Sequence, residues 1–234
     1  GVGCVAWLRG AAALGVVAWA GLVAGDGAPL VPEAGLRAVG SATRQLSGCS
    51  TAVVVAPGTS LAEAIAAAEG AIFGAFAVAT AAAGPASASV KSLTLASPLA
   101  RDRGLRAGVK RAVALGTATN YTRDLVNQAP NDLYPASFAA QVRKRAVGSG
   151  VKFSVLDEGG LTRGGFGGHV TVGGGSARGP RLVTLHYKPA QVTKHQKHVA
   201  FVGKGITFDS GGLAIKPTKS MTTMKCDMAG AAAV

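Results

Sequence analysis

The sequence predicts an α/β fold: an N-terminal α/β domain, a long connecting helix, and then a second, mainly parallel α/β domain. Three observations lead there. Short Val-rich runs bounded by Gly, Pro or Ser alternate with longer segments of helical periodicity. Hydrophobic residues make up 48% of the chain and charged residues only 15%, which excludes a disordered polymer. Glycine reaches 34 of 234 residues, as suits tightly packed helices and buried strands in a soluble globular protein.

The elements follow in order. Residues 1–25 are strongly apolar and also resemble the hydrophobic region of a signal peptide. Arg9 interrupts the run, Gly15, Gly21 and Gly25 break it, and the signal-like block Ala11–Gly25 falls short of the roughly 20 residues that span a bilayer, so buried strands are expected. Leu14–Trp19 and Thr51–Ala56 have the length and content of buried strands. Pro57-Gly-Thr-Ser60 supplies a turn and a helix cap, and Glu63 stands three residues after Ser60 as in a capping box. A helix is expected from Leu61 to about Phe76, with Leu61, Ile65, Ala68, Ile72 and Phe76 at helical spacing.

Ala79–Ser89, with Gly84-Pro85, reads as a loop before a strand at Val90–Ala96. Leu99 to about Asn127 reads as one helix, with Leu105, Val109, Ala112, Val113 and Gly116 on its apolar face and Arg103, Arg106 and Lys110 on another. The domain boundary falls in or near it. Asn127–Pro135 is a Pro/Asn/Asp loop, followed by a helix from about Ala136 to Val147 and a strand at Val151–Leu156. Gly164, Gly165, Gly167 and Gly168, then Gly173 to Gly175, enclose His169-Val-Thr-Val ahead of a strand at Arg181–Tyr187. His198–Gly203 reads as a buried strand that delivers Lys204.

The formal net charge is +13, from 24 Lys+Arg against 11 Asp+Glu. These cations are dispersed along the chain without interleaved aromatics, so a solvated face is expected, and a nucleic-acid partner is only weakly supported. Cys4, Cys49 and Cys226 have no metal-ligand spacing and suit reduced thiols in a cytoplasmic protein, with Cys226 a small buried residue. His169, His186, His195 and His198 match no His-ligand motif and are expected in strands or loops. Gly203-Lys204 precedes Gly205 where a phosphate-binding loop needs Ser or Thr, which excludes that class. Tyr121 and Tyr134 have no assignable role.

The densest chemistry lies between Lys204 and Asp227. Asp209 follows Lys204 by five residues, Gly211-Gly212 let the backbone turn beside it, and Asp227 precedes a short apolar segment expected to be helical. Two carboxylates converging at strand ends repel unless a cation compensates them, and a divalent metal does so. Beside a dication a lysine amine can shed its proton and ligate, a role that suits Lys204, while Lys216 stays cationic. Residue types alone leave open an ordinary salt-bridge cluster in which Lys204 or Lys216 pairs with Asp209.

The series Val202-Gly-Lys-Gly-Ile-Thr-Phe-Asp-Ser-Gly-Gly-Leu-Ala-Ile-Lys-Pro217, with Met224-Lys-Cys-Asp-Met-Ala-Gly230, closely resembles the leucyl (cytosol) aminopeptidase family, the M17 metallopeptidases. Thr122–Pro135 and Val172–Val183 are similar to other parts of that family's catalytic domain. The resemblance divides the chain into an N-terminal α/β domain at 1–97, a connecting helix at 98–119, and the N-terminal part of a truncated, mainly parallel catalytic domain at 120–234.

What the resemblance implies is specific. Lys204, Asp209 and Asp227 become metal ligands, with Asp209 bridging two ions; Lys216 becomes the catalytic lysine, and Met224 a wall of the pocket for the substrate's first side chain. Two divalent ions are implied, Mn²⁺ or Zn²⁺ with Mg²⁺ also fitting the donors. The family's second ligand motif, Asn-Thr-Asp-Ala-Glu-Gly-Arg, does not occur in these residues. The expected function is removal of leucine-like N-terminal residues from peptides by a cytoplasmic homo-oligomer, a hexamer by family habit, without membrane contact. The 234-residue chain itself is expected to be inactive. A non-catalytic relative that binds nucleic acid or protein through its basic surface is the alternative.

Overall fold

The computed structural model describes residues 5–9, 16–20, 32–46, 48–56, 60–78, 90–191 and 197–234. Strands β1 (Val5–Arg9) and β2 (Val16–Ala20) pair antiparallel, with Val5 opposite Ala20. Cys4, most of the linking apolar run, Pro57–Thr59, the loop expected at 79–89 and His195 lie outside the described residues. Backbone contacts divide the chain into Gly1–Tyr121 and Thr122–Val234.

In the first unit, β3 (Thr51–Val55) and β4 (Ser92–Ala96) form a parallel pair, with Thr51 opposite Ser92. Helix α2 (Leu61–Gly74) connects them, as a parallel crossover requires. Ser60 is its N-cap in extended conformation, yet its side chain makes no capping hydrogen bond, so the expected capping box is not formed. Of the periodic positions on α2, Ala68 is buried and Ile65 packs partly buried against the core, but Leu61 is exposed, and the buried face extends over Ala64, Ala67, Gly70, Ala71 and Gly74.

The reason is helix α1 (Pro32–Arg44), which the sequence reading did not anticipate. It crosses α2 so closely that a Cβ on Gly70 would run into the Leu36 carbonyl, and one on Gly74 into the Gly40 carbonyl. Small residues admit this approach, and large ones would hold the helices apart. The core beside them joins Ala56, Ala64, Ala67 and Leu105 to the partly buried Val39, Val54, Ile65, Leu95, Leu99 and Val109.

Helix α3 (Arg103–Asn127) runs through the expected long helix. Asp102 Oδ1 accepts hydrogen bonds from Gly104 N at 2.6 Å and Leu105 N at 3.2 Å at its start. Leu105, Ala112 and Gly116 are buried, but Val113, expected on the same face, is 50% exposed.

In the second unit Pro135 opens helix α4 (Pro135–Ala146), where its missing N–H costs nothing. Ser137 Oγ holds the entry by accepting from Tyr134 N at 2.9 Å and donating to Asp132 O at 2.6 Å. Strand β5 (Val151–Leu156) then pairs with β6 (Leu182–Tyr187) in antiparallel register, Val151 opposite Tyr187, so the parallel pair among the described residues belongs to the first unit. The glycine-rich segment between them holds two short helices, α5 (Glu158–Arg163) and α6 (Gly167–Gly173). Asp157 caps α5 by accepting from Gly160 N at 2.9 Å. Leu125, Leu133, Leu161 and Met228 are the largest fully buried side chains.

The strand expected at His198–Gly203 is not formed. Val199, Phe201 and Val202 are 75%, 79% and 94% exposed, and no described strand lies beside them. Hydrophobic content marks a segment as able to be a strand; only a hydrogen-bonding neighbour makes it one.

Candidate metal centre

Residues 203–234 approach the centre as turns and short helices: α7 (Thr218–Met221), a 3-10 turn at Met224–Cys226, and α8 (Ala229–Ala233). Gly211 and Gly212 have φ of 93° and 68°, the left-handed region that glycine enters without cost, and they reverse the chain directly after Asp209-Ser210. Lys216 N donates to Ser210 O at 2.8 Å and closes the reversal.

That reversal returns Lys216 to Asp209, with Nζ 2.8 Å from Oδ2 and both side chains about two-thirds covered. Asp209 Oδ1 accepts from Gly211 N at 2.8 Å. The Lys216 ammonium first, and then the Gly211 N–H, hold the Asp209 carboxyl below the usual carboxylate range. Met224 Sδ lies 3.2 Å from Lys216 Nζ on the other side, a contact in which the ammonium donates to the thioether.

The second pair is Lys204 with Asp227, Nζ to Oδ2 2.9 Å. Asp227 sits immediately before Met228, the N-cap of α8. Close polar contact with Asp227 raises the Lys204 amine above its ordinary value, and the Asp209 charge adds to the effect, so both carboxylates act on one amine. Of the two lysines that could pair with Asp209, Lys216 does so, as an ordinary salt-bridge cluster also would, and Lys204 takes Asp227.

Asp227 Oδ2 is buried, and its polar neighbour is the Lys204 ammonium at 2.9 Å. Were Lys204 to lose its proton, this buried oxygen would have no cation beside it, and a metal ion would supply one. Two carboxylates and an amine that can be deprotonated form a hard, mixed O/N donor set of the kind divalent first-row metals take. The residues present therefore fit a divalent ion. No group of three or more His, Cys, Asp and Glu converges among the described residues; the third donor of this set is a lysine.

Other candidates lie elsewhere. Cys226, expected to be buried, is exposed. His169 stands on α6 edge-on to Phe166, ring centroids 6.0 Å apart, and His186 on β6. Tyr134, without a role from sequence, carries the Arg178 guanidinium 4.0 Å from its ring centroid. Arg178 Nη1 also donates to Asn131 O at 2.7 Å, which braces the loop ahead of α4. Neither contact is visible in local sequence spacing.

Fold and site together define an α/β protein with a lysine–carboxylate centre suited to divalent cations. Residues 120–234 match the cytosol aminopeptidase family, catalytic domain. It is 46% identical over 207 residues to a probable cytosol aminopeptidase of Streptomyces avermitilis, covering 86% of this chain and 40% of the relative. The bottromycin maturation enzyme BotP in complex with Mn has a TM-score of 0.81 and 33% identity, covering 99% of this chain and 48% of that one. The apo leucyl aminopeptidase of Trypanosoma cruzi has a TM-score of 0.70 and 36% identity over 87% of this chain and 39% of its own. The chain thus spans about 40% of the length of the curated relatives it matches. No helix among the described residues is long and apolar enough to cross a membrane.

Proposed function

We propose that this chain carries ligands of a metal-dependent aminopeptidase that releases N-terminal residues, leucine-like ones preferred, from peptides. The observation that carries the reading is the pair of lysine–carboxylate contacts, Lys204–Asp227 and Lys216–Asp209. Lys204, Asp209 and Asp227 would hold the ions, two in number, with Mn²⁺ favoured by the manganese complex of the related BotP and Zn²⁺ the other choice. Bound divalent ions supply Lewis acidity toward the scissile carbonyl and offset the charge it develops.

The chain's own groups have distinct tasks. Lys204 Nζ would have to release its proton to solvent before its lone pair could ligate, against the hydrogen bond to Asp227 and the Asp227 and Asp209 charges that raise its pKa. Lys216, aimed between Asp209 and Met224, would donate to the carbonyl oxygen as it becomes an oxyanion. Met224 would offer a polarisable apolar wall to the substrate's first side chain. The protein is proposed to act in the cytoplasm as a homo-oligomer.

The test is hydrolysis of leucine-p-nitroanilide with added Mn²⁺. The full-length protein is expected to be active and the isolated 234-residue polypeptide inactive, because the resemblance implies ligands beyond these three. A metal-loaded full-length protein without aminopeptidase activity on any N-terminal leucine substrate overturns the reading.

A further inference from the structure

We propose that Gly203 and Gly230 are positioning residues for the cation site, acting by letting α8 pack directly on the backbone of Lys204. The inference rests on the metal reading above. Lys204 has a long side chain that is 61% exposed, so side-chain packing does little to hold its amine. Its backbone is held instead. Ala231 N donates to Lys204 O at 2.8 Å, and a Cβ on Gly203 would overlap the Gly230 carbonyl group and come within 2.6 Å of Ala231 Cα. From the other side, a Cβ on Gly230 would stand 3.1 Å from Lys204 N and 3.4 Å from Lys204 O.

The same helix carries the partner ligand. Asp227 directly precedes its N-cap Met228, whose side chain is fully buried, and Thr122 Oγ1 donates to Ala232 O at 2.9 Å near its far end. The separation of the Lys204 and Asp227 donors is therefore set where two backbones touch, and any side chain at either glycine pushes the ligands apart. Neither glycine has a positive φ, so replacing it by alanine tests the contact without backbone strain.

The experiment uses the full-length protein with Mn²⁺ alone as the probe. Affinity is read by calorimetry, the bound ion's environment by electron paramagnetic resonance, and folding by the circular dichroism and melting of the metal-free protein. Gly230→Ala decides the matter, since it asks Lys204 to move by only a few tenths of an ångström; Gly203→Ala is the severe version, and Gly175→Ala, with nothing within 4 Å of the new Cβ, is the control. Gly230→Ala is expected to weaken Mn²⁺ binding about 10- to 100-fold with an altered spectrum and an intact metal-free fold, as for lost supporting contacts at other metal sites. Gly175→Ala is expected to match wild type. Wild-type affinity and spectrum in Gly230→Ala overturn the positioning inference while the metal reading stands; an equal loss in Gly175→Ala also overturns it. No Mn²⁺ bound by the wild type overturns the metal reading and this inference with it.

Discussion

Asp209 and Lys216 meet at 2.8 Å across a reversal whose two glycines both occupy left-handed conformations. The carboxylate that can bridge cations and the ammonium that can face an oxyanion are thus held by one short turn. Their tasks differ, and substitutions separate them.

Asp209→Ala in the full-length protein removes the carboxylate shared by both proposed ions. Metal content by elemental analysis after dialysis is expected to fall at both sites. Wild-type occupancy would contradict the bridging role.

Lys216→Ala leaves the other donors in place. Metal is expected to remain bound while kcat on leucine-p-nitroanilide drops about 10²- to 10³-fold, the range for a lost oxyanion donor. Elemental analysis beside steady-state kinetics checks it, and loss of metal would instead assign Lys216 a structural role.

Gly211→Ala and Gly212→Ala both place a side chain at positive φ, which costs about 1–2 kcal/mol each. At Gly211 the new Cβ also meets the Ala214 carbonyl and stands 3.0 Å from Lys216 N, whereas at Gly212 it enters open space. Gly211→Ala is therefore expected to be the more destabilising in urea unfolding, and equal midpoints would show that the turn relaxes freely.

Within α3, Leu105 is 3% exposed and Val113 50%. Leu105→Ala is expected to cost about 2–5 kcal/mol and Val113→Ala less than about 0.5 kcal/mol in the same denaturation experiment. Comparable losses would place Val113 in an interface.

Much of this was legible locally. The Val-rich run of β3, the long helix α3, Pro135 at the start of α4 and the alternation of β5 all report preferences that act over a few residues. Helix α1 has strongly segregated apolar and polar faces, with Val39 against the core, so its periodicity was legible in the sequence and only its glycine contact with α2 needed the tertiary structure. His198–Gly203 misled, since its apolar content says nothing about whether a neighbouring strand is present.

By itself the sequence determined the chemistry of the centre: which lysines and carboxylates lie within reach, where glycines permit a reversal, and which family has that series of residues. Only the tertiary structure decided the partners. Lys204 takes Asp227 and Lys216 takes Asp209 because a left-handed turn folds one lysine back and a backbone contact at Gly203 and Gly230 presses α8 onto the other. Charge attraction between such groups is nearly indifferent to which lysine meets which carboxylate. Steric contact between backbones is not.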